Sequence, residues 1–240
     1  MNNYKTNPSP GVTEYIATGK ERWDGAVVIF PGGGYAGLAE HEGKEYAEFL
    51  LEYGISSFVV EYRLGSNGHR HPEMIEDAFK GIQIARNRCA KLDLNPAKTG
   101  VMGSSAGGHL AALTITTWKE YGAELRPAFA VLCYPVIDLT GPYANRGSRD
   151  NLLGTQASDD VAVSLSPHNL VDKTTCPVFL WHTGEDKGVP MENSIMMAEA
   201  LRNNDIPFEM HIYHEGTHGI GLNTEHPWGR DVARWIKRVV

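Results

Sequence analysis

A G-x-S-x-G stretch, Gly103-Ser104-Ser105-Ala106-Gly107, follows a short apolar run and opens a segment of small residues. A serine at a tight strand-to-helix turn is held in a strained backbone with its hydroxyl exposed, and flanking glycines let the turn approach its neighbours. The frame of the motif puts Ser105 at the turn, with Ser104 as the rival hydroxyl. Serine is a weak nucleophile until a base takes its proton, and that base needs an acid to orient it. His218 lies in Gly216-Thr217-His218-Gly219, a glycine-flanked loop, and Asp186 lies in Thr183-Gly184-Glu185-Asp186, just past the apolar run VFLWH. Glu185 competes for the acid role, and Asp138 does so from further away. Nucleophilic acyl transfer also builds charge on a carbonyl oxygen, which amide N–H groups must meet. Gly33 and Gly34, at the end of the run AVVIF, and Ala106, beside the serine, are the candidate donors of that oxyanion hole. The glycine run is no phosphate loop, since neither a Gly-Lys-Ser/Thr ending nor a G-x-G-x-x-G is completed.

The other residues of chemical interest point elsewhere. His211, His214 and His218 stand three and four apart, but they straddle a strand and a loop and share no face, so no metal site is expected. His69 and His71 read as loop histidines. Cys89, Cys133 and Cys176 are odd in number and lack C-x-x-C spacing. That excludes a disulfide framework, and all three read as small buried hydrophobes. Tyr35, Trp181 and Trp228 are candidate substrate-binding walls, because aromatic rings suit sugar faces and acyl groups. Plain packing is the alternative for each. The chemistry requires no cofactor.

A triad drawn from three distant stretches needs a scaffold whose strand ends converge. The continuous apolar run Ala26–Phe30 reads as a strand buried on both faces, and Ile55–Tyr62, Thr99–Gly103, Ala128–Tyr134, Val178–His182 and Phe208–Tyr213 read as further strands. Between them, helical periodicity covers Glu40–Tyr53, Pro72–Ala90, Ala106 to about Trp118, Met191–Arg202 and Trp228–Val240. The second of these has Pro72 and acids at its start and Arg86, Arg88 and Lys91 near its end, as the helix dipole favours. Strands alternating with helices predict an α/β fold with a mostly parallel central sheet covered on both faces. Residues 1–240 read as one domain of that kind, with no repeat and no linker. Ile137 to Asp172 breaks the rhythm and is expected to be an excursion over the top of the sheet, shaping a pocket.

With 240 residues, 42% of them hydrophobic and 21% charged, the chain can bury a sizeable core and is not disordered. Its net charge of −7, without any Lys/Arg block, argues against nucleic acid and against an anionic membrane surface as partners. No run reaches membrane-spanning length, and Met1–Pro10 lacks the apolar core of a secretory signal, so a cytoplasmic location is expected. Nothing in the sequence reports oligomeric state.

Several longer stretches extend these motifs: Pro31-Gly32-Gly33-Gly34-Tyr35, His41-Glu42-Gly43, Val59-Val60-Glu61-Tyr62-Arg63-Leu64, Gly103 to Leu110, Trp181 to Asp186 with Val189-Pro190, and Gly216 to Gly219. Together they resemble the α/β-hydrolase superfamily over nearly the whole chain. The order of nucleophile, acid and base is the one that superfamily uses. Within it, the chain is similar to the small acetyl-xylan-esterase-like carbohydrate esterases, relatives of the hormone-sensitive-lipase and prolyl-oligopeptidase-like hydrolases. The resemblance implies an α/β-hydrolase fold without a large cap domain. It also implies Ser105 as nucleophile, Asp186 as acid, His218 as base, and Gly33, Gly34 and Ala106 around the oxyanion. The substrate it implies is a small-molecule or oligosaccharide ester, with acetyl groups on xylan fragments preferred. The chain departs from the lipase-type H-G-G-G at Pro31, and it has no room for a propeller domain. Cleavage of an amide by the same triad, and a non-catalytic binding role on the same fold, are the competing readings.

Overall fold

The computed structural model describes residues 10–240, so the expectation for Met1–Pro10 lies almost wholly outside the described residues. Seven strands form one sheet: β1 (Gly11–Tyr15), β2 (Ala26–Phe30), β3 (Ser56–Glu61), β4 (Thr99–Ser104), β5 (Ala130–Cys133), β6 (Val178–Thr183) and β7 (Phe208–Tyr213). Their spatial order is β1-β3-β2-β4-β5-β6-β7. β1 pairs antiparallel with β3, Gly11 opposite Glu61, and every other pairing is parallel. The order reverses beside β2, from which the chain steps to β3 on one side and later returns to β4 on the other.

Successive residues of β2 point to opposite faces, and both faces are covered. Val28 and Phe30 join the core beneath α2 (Glu73–Lys91), α3 (Ser105–Tyr121) and α6 (Glu192–Asn203). Val27 and Ile29 join the one beneath α1 (Glu40–Glu52) and α7 (Trp228–Val239). The strict alternation explains why β2 is fully buried over its whole length. α3 runs against the middle of the sheet, and every residue from Ser105 to Ile115 is buried. Its small residues permit that approach: a Cβ at Gly107 would overlap the carbonyl oxygen of Phe30. No helix of the described residues is long and apolar enough to cross a membrane.

The mostly parallel sheet with helices on both faces is as expected. β1 is the strand the sequence did not reveal; it is short, lies at the sheet edge and is largely exposed, so it carries no apolar run. The excursion from Ile137 to Asp172 is also more ordered than expected. It contains α4 (Arg146–Leu153) and α5 (Asp159–Ser164), capped by the side chains of Asn145 and Ser158. Cys89, Cys133 and Cys176 are free and buried, as read from the sequence.

Candidate active site

The site forms where the parallel strands end. β4 passes directly into α3 at Ser105, whose φ of 53° puts a non-glycine residue in the left-handed region. Such a backbone is held by its surroundings rather than by preference. Here the Ser105 carbonyl accepts a hydrogen bond from the Val136 amide. The Ser105 hydroxyl lies 2.8 Å from His218 Nε2, and His218 Nδ1 lies 2.7 Å from Asp186 Oδ2. With Nδ1–H donating to the carboxylate, Nε2 is left as an acceptor for the serine proton.

Each member has its own support. Asp186 follows β6, and its Oδ1 accepts the amides of Gly188 and Val189, each at 2.9 Å. A second imidazole, that of His182, sits 3.3 Å from Asp186 Oδ2, and its Nε2 also lies 2.9 Å from the Val189 carbonyl oxygen. Two nearby acceptors make Nε2 the protonated nitrogen of His182, leaving Nδ1 to accept from Ser194 Oγ at 2.8 Å. Burial works to raise the Asp186 carboxyl, but hydrogen bonds from His182, His218 and the Val189 amide outweigh it and hold the group well below the usual carboxylate range. The His218 loop is tied back by the Thr183 hydroxyl, which donates to the Gly216 carbonyl, and by a contact between His41 Nε2 and the Gly219 carbonyl.

The rival groups are engaged elsewhere. Ser104 is fully buried and donates to the Tyr46 hydroxyl. Asp138 closes its own turn by accepting from Thr140 and Gly141, and Glu185 is exposed. His211 and His214 do not gather with His218 around a common centre. The His211 ring stacks between Phe179 and Tyr213 and pairs with Glu209.

The glycine loop lies beside the nucleophile, where a Cβ at Gly32 would stand 3.0 Å from the Ser105 Cβ. Gly33 (φ 128°) accepts at its carbonyl from the amides of Ala36 and Gly37, folding the loop tightly. Among the described residues no acceptor is paired with the amides of Gly33 and Gly34. Ala106 stands at the first turn of α3, where amides lack intrahelical partners. The excursion braces both loops. Asn151 donates to the Gly34 carbonyl at 2.9 Å, and Asn145 donates to the Gly188 carbonyl at 3.0 Å.

The three aromatic residues expected to wall the pocket do not. Tyr35 and Trp181 are 0% exposed and Trp228 is 1% exposed. Trp181 and Trp228 stack on each other at 4.4 Å beneath the sheet. Their large apolar area is better satisfied there than at a wet rim. Tyr35 (φ 58°) anchors the glycine loop instead. Its hydroxyl lies 2.8 Å from His109 Nδ1, and His109 Nε2 donates to the Leu165 carbonyl. Sequence spacing gave no sign of this buried pair, nor of His182, although His109 follows the nucleophile by one helical turn and His182 precedes the acid by four residues.

Sheet order, strained serine turn and hydrogen-bonded Ser-His-Asp line together define a protein of the α/β-hydrolase fold with a serine-hydrolase constellation. The BD-FAE family profile matches residues 15–201, and the chain belongs to that family. It is 34% identical over 89% of its length to an acetylxylan esterase of Xylanibacter ruminicola, covering 45% of that protein. It is 33% identical over 88% of its length to endo-1,4-beta-xylanase B of Butyrivibrio fibrisolvens, covering 34% of it. The chain thus spans half or less of the length of these curated relatives. The solved structure of an acetyl ester-xyloside bifunctional hydrolase from Caldicellulosiruptor lactoaceticus superposes with a TM-score of 0.87 at 38% identity. That superposition covers 97% of this chain and 89% of the other.

Proposed function

We propose that the chain is a serine carboxylesterase that removes small acyl groups, acetyl above all, from carbohydrate such as xylan fragments. The observation that carries this reading is the continuous line Ser105 Oγ–His218–Asp186 at 2.8 and 2.7 Å. The resemblance to an acetylxylan esterase and to an acetyl ester-xyloside hydrolase supports the choice of substrate.

In the proposed cycle, His218 Nε2 takes the Ser105 proton as Oγ attacks the acyl carbonyl. The oxyanion is met by the amide of Ala106 and those of the Gly33–Gly34 loop, where one well-placed donor is typically worth about 3 kcal/mol. Asp186, kept ionised by four hydrogen-bond donors, balances the imidazolium. His218 then returns the proton to the departing sugar hydroxyl. Water enters, loses a proton to His218, and hydrolyses the acyl-serine, restoring the free enzyme and releasing the acid.

p-Nitrophenyl acetate turnover by the wild type, and its loss in Ser105→Ala, is the first test. Deacetylation of acetylated xylo-oligosaccharides in preference to feruloylated and long-chain esters is the second. Turnover unchanged in Ser105→Ala refutes the nucleophile, and a preference for long acyl chains refutes the substrate class.

A further inference from the structure

Glu42 is a carboxylate only 2% exposed, and among the described residues no Lys or Arg pairs with it; a basic atom within ion-pair reach is His41 Nε2, 3.8 Å away on a side chain that is itself half exposed. A buried carboxylate is costly unless its oxygens are met by donors. Both are met, and the donors lead to the two halves of the site. Oε2 accepts the Gly32 amide at 2.8 Å, at the root of the glycine loop. Oε1 accepts the Tyr134 hydroxyl at 2.7 Å. Tyr134 follows β5 with a φ of 34°, and its ring meets the His218 imidazole edge-to-face at a centroid distance of 5.4 Å.

The hydrogen-bond directions are forced. Since Tyr134 donates to Glu42, its oxygen accepts from the Tyr46 hydroxyl at 3.0 Å, and Tyr46 in turn accepts from Ser104 Oγ at 3.2 Å. Three hydroxyls in a row therefore point their protons toward one carboxylate, and the row begins one residue before the nucleophile. Burial, with the neighbouring Glu42 charge, keeps the Tyr134 hydroxyl protonated well past its ordinary range, so it remains a donor. No step of the proposed cycle uses any of these groups.

We propose that Glu42 is a positioning residue: through Gly32 it sets the glycine loop, and through Tyr134 it sets the face on which the His218 ring rests, so that oxyanion donors and base are held to one another by a single buried carboxylate. The inference rests on the esterase reading and deepens it.

The test compares wild type, Ser105→Ala, Glu42→Gln, Tyr134→Phe and the Glu42→Gln/Tyr134→Phe double variant on p-nitrophenyl acetate, with thermal melting of each. Gln offers one acceptor oxygen where two donors converge, so one link turns donor-to-donor. Phe keeps the ring against His218 and removes only the link. Glu42→Gln is expected to lower kcat by about tenfold or more with KM within about threefold, because misplacing a reacting group costs rate rather than binding. Tyr134→Phe is expected to lower kcat in the same manner, and the double variant to lose no more than the worse single, as members of one chain do. Full wild-type kcat in both single variants overturns the proposal, as does a strictly multiplicative double variant. So does a kcat loss that only tracks the folded fraction. Wild type no faster than Ser105→Ala removes the esterase reading, and this inference with it. An active wild type with unaffected Glu42 and Tyr134 variants removes the inference alone.

Discussion

Asp186→Asn isolates the part of the triad that only orients. The wild-type carboxylate receives four donors: the Gly188 and Val189 amides on Oδ1, and His218 and His182 on Oδ2. Asn is nearly the same size but has one acceptor oxygen and one NH2 group. If the oxygen faced the imidazoles, the NH2 would face two amide N–H groups about 2.9 Å away, that of Val189 buried, and take the acceptor from both. If the oxygen faces the amides, only the imidazoles meet the NH2. His182 tolerates this, because its Nε2 proton still has the Val189 carbonyl. The second orientation therefore wins. His218 must then accept at Nδ1, its proton moves to Nε2, and Nε2 no longer takes the Ser105 proton. A wrong tautomer in an intact triad costs about 10⁴ in kcat, or roughly 5.5 kcal/mol. The assay is initial-rate hydrolysis of p-nitrophenyl acetate with Ser105→Ala as background and thermal melting as control. A folded Asp186→Asn enzyme that keeps kcat within tenfold of wild type would show that Asp186 does not orient the base.

Two further outcomes follow from the scaffold. Burial, above all, pushes His109 down to about 4, with the Leu165 carbonyl pulling the other way. Its unfolded value is near 6.5, so between those values the unfolded chain binds the extra proton and stability falls as the pH is lowered. The contribution is on the order of 3 kcal/mol, complete above about pH 6.5 and lost toward pH 4, and urea melts of wild type and His109→Gln at pH 7 and pH 5 measure it. An equal loss in both proteins excludes His109 as the cause. Gly107→Ala places a methyl on the Phe30 carbonyl and forces α3 away from β2, so soluble yield and esterase activity are expected to fall together. An active, fully stable variant would contradict that packing.

The parts of the molecule legible in the sequence share a simple cause. β2, β4, β5 and β6 are buried on both faces, so β2 and β5 are unbroken apolar runs, β6 opens with four apolar residues, and β4 is made of apolar and small residues. The triad residues lie at glycine-marked turns just after strands, and the geometry brings all three together. β1 was hidden because an exposed edge strand has no reason to be apolar. Trp181 and Trp228 were misread because composition gives a ring's preferences but not its side of the sheet, and the alternation of β6 turns Trp181 inward. The chain from Ser104 to Glu42 was illegible for another reason. Its members come from α1, β4 and the end of β5, and only three-dimensional pairing gives a buried tyrosine or glutamate its role.

The two asparagines of the excursion, Asn145 and Asn151, fasten it to the acid loop and to the glycine loop respectively. Residues 137–172 are thus not a detachable ornament but a bridge between the acid loop and the glycine loop. Under the proposed esterase function, lengthening or exchanging this span is the natural route to a new clientele, since no strand would need rebuilding. Any transplant lacking equivalents of those two amide side chains would reshape the entrance while loosening both walls of the machinery beneath.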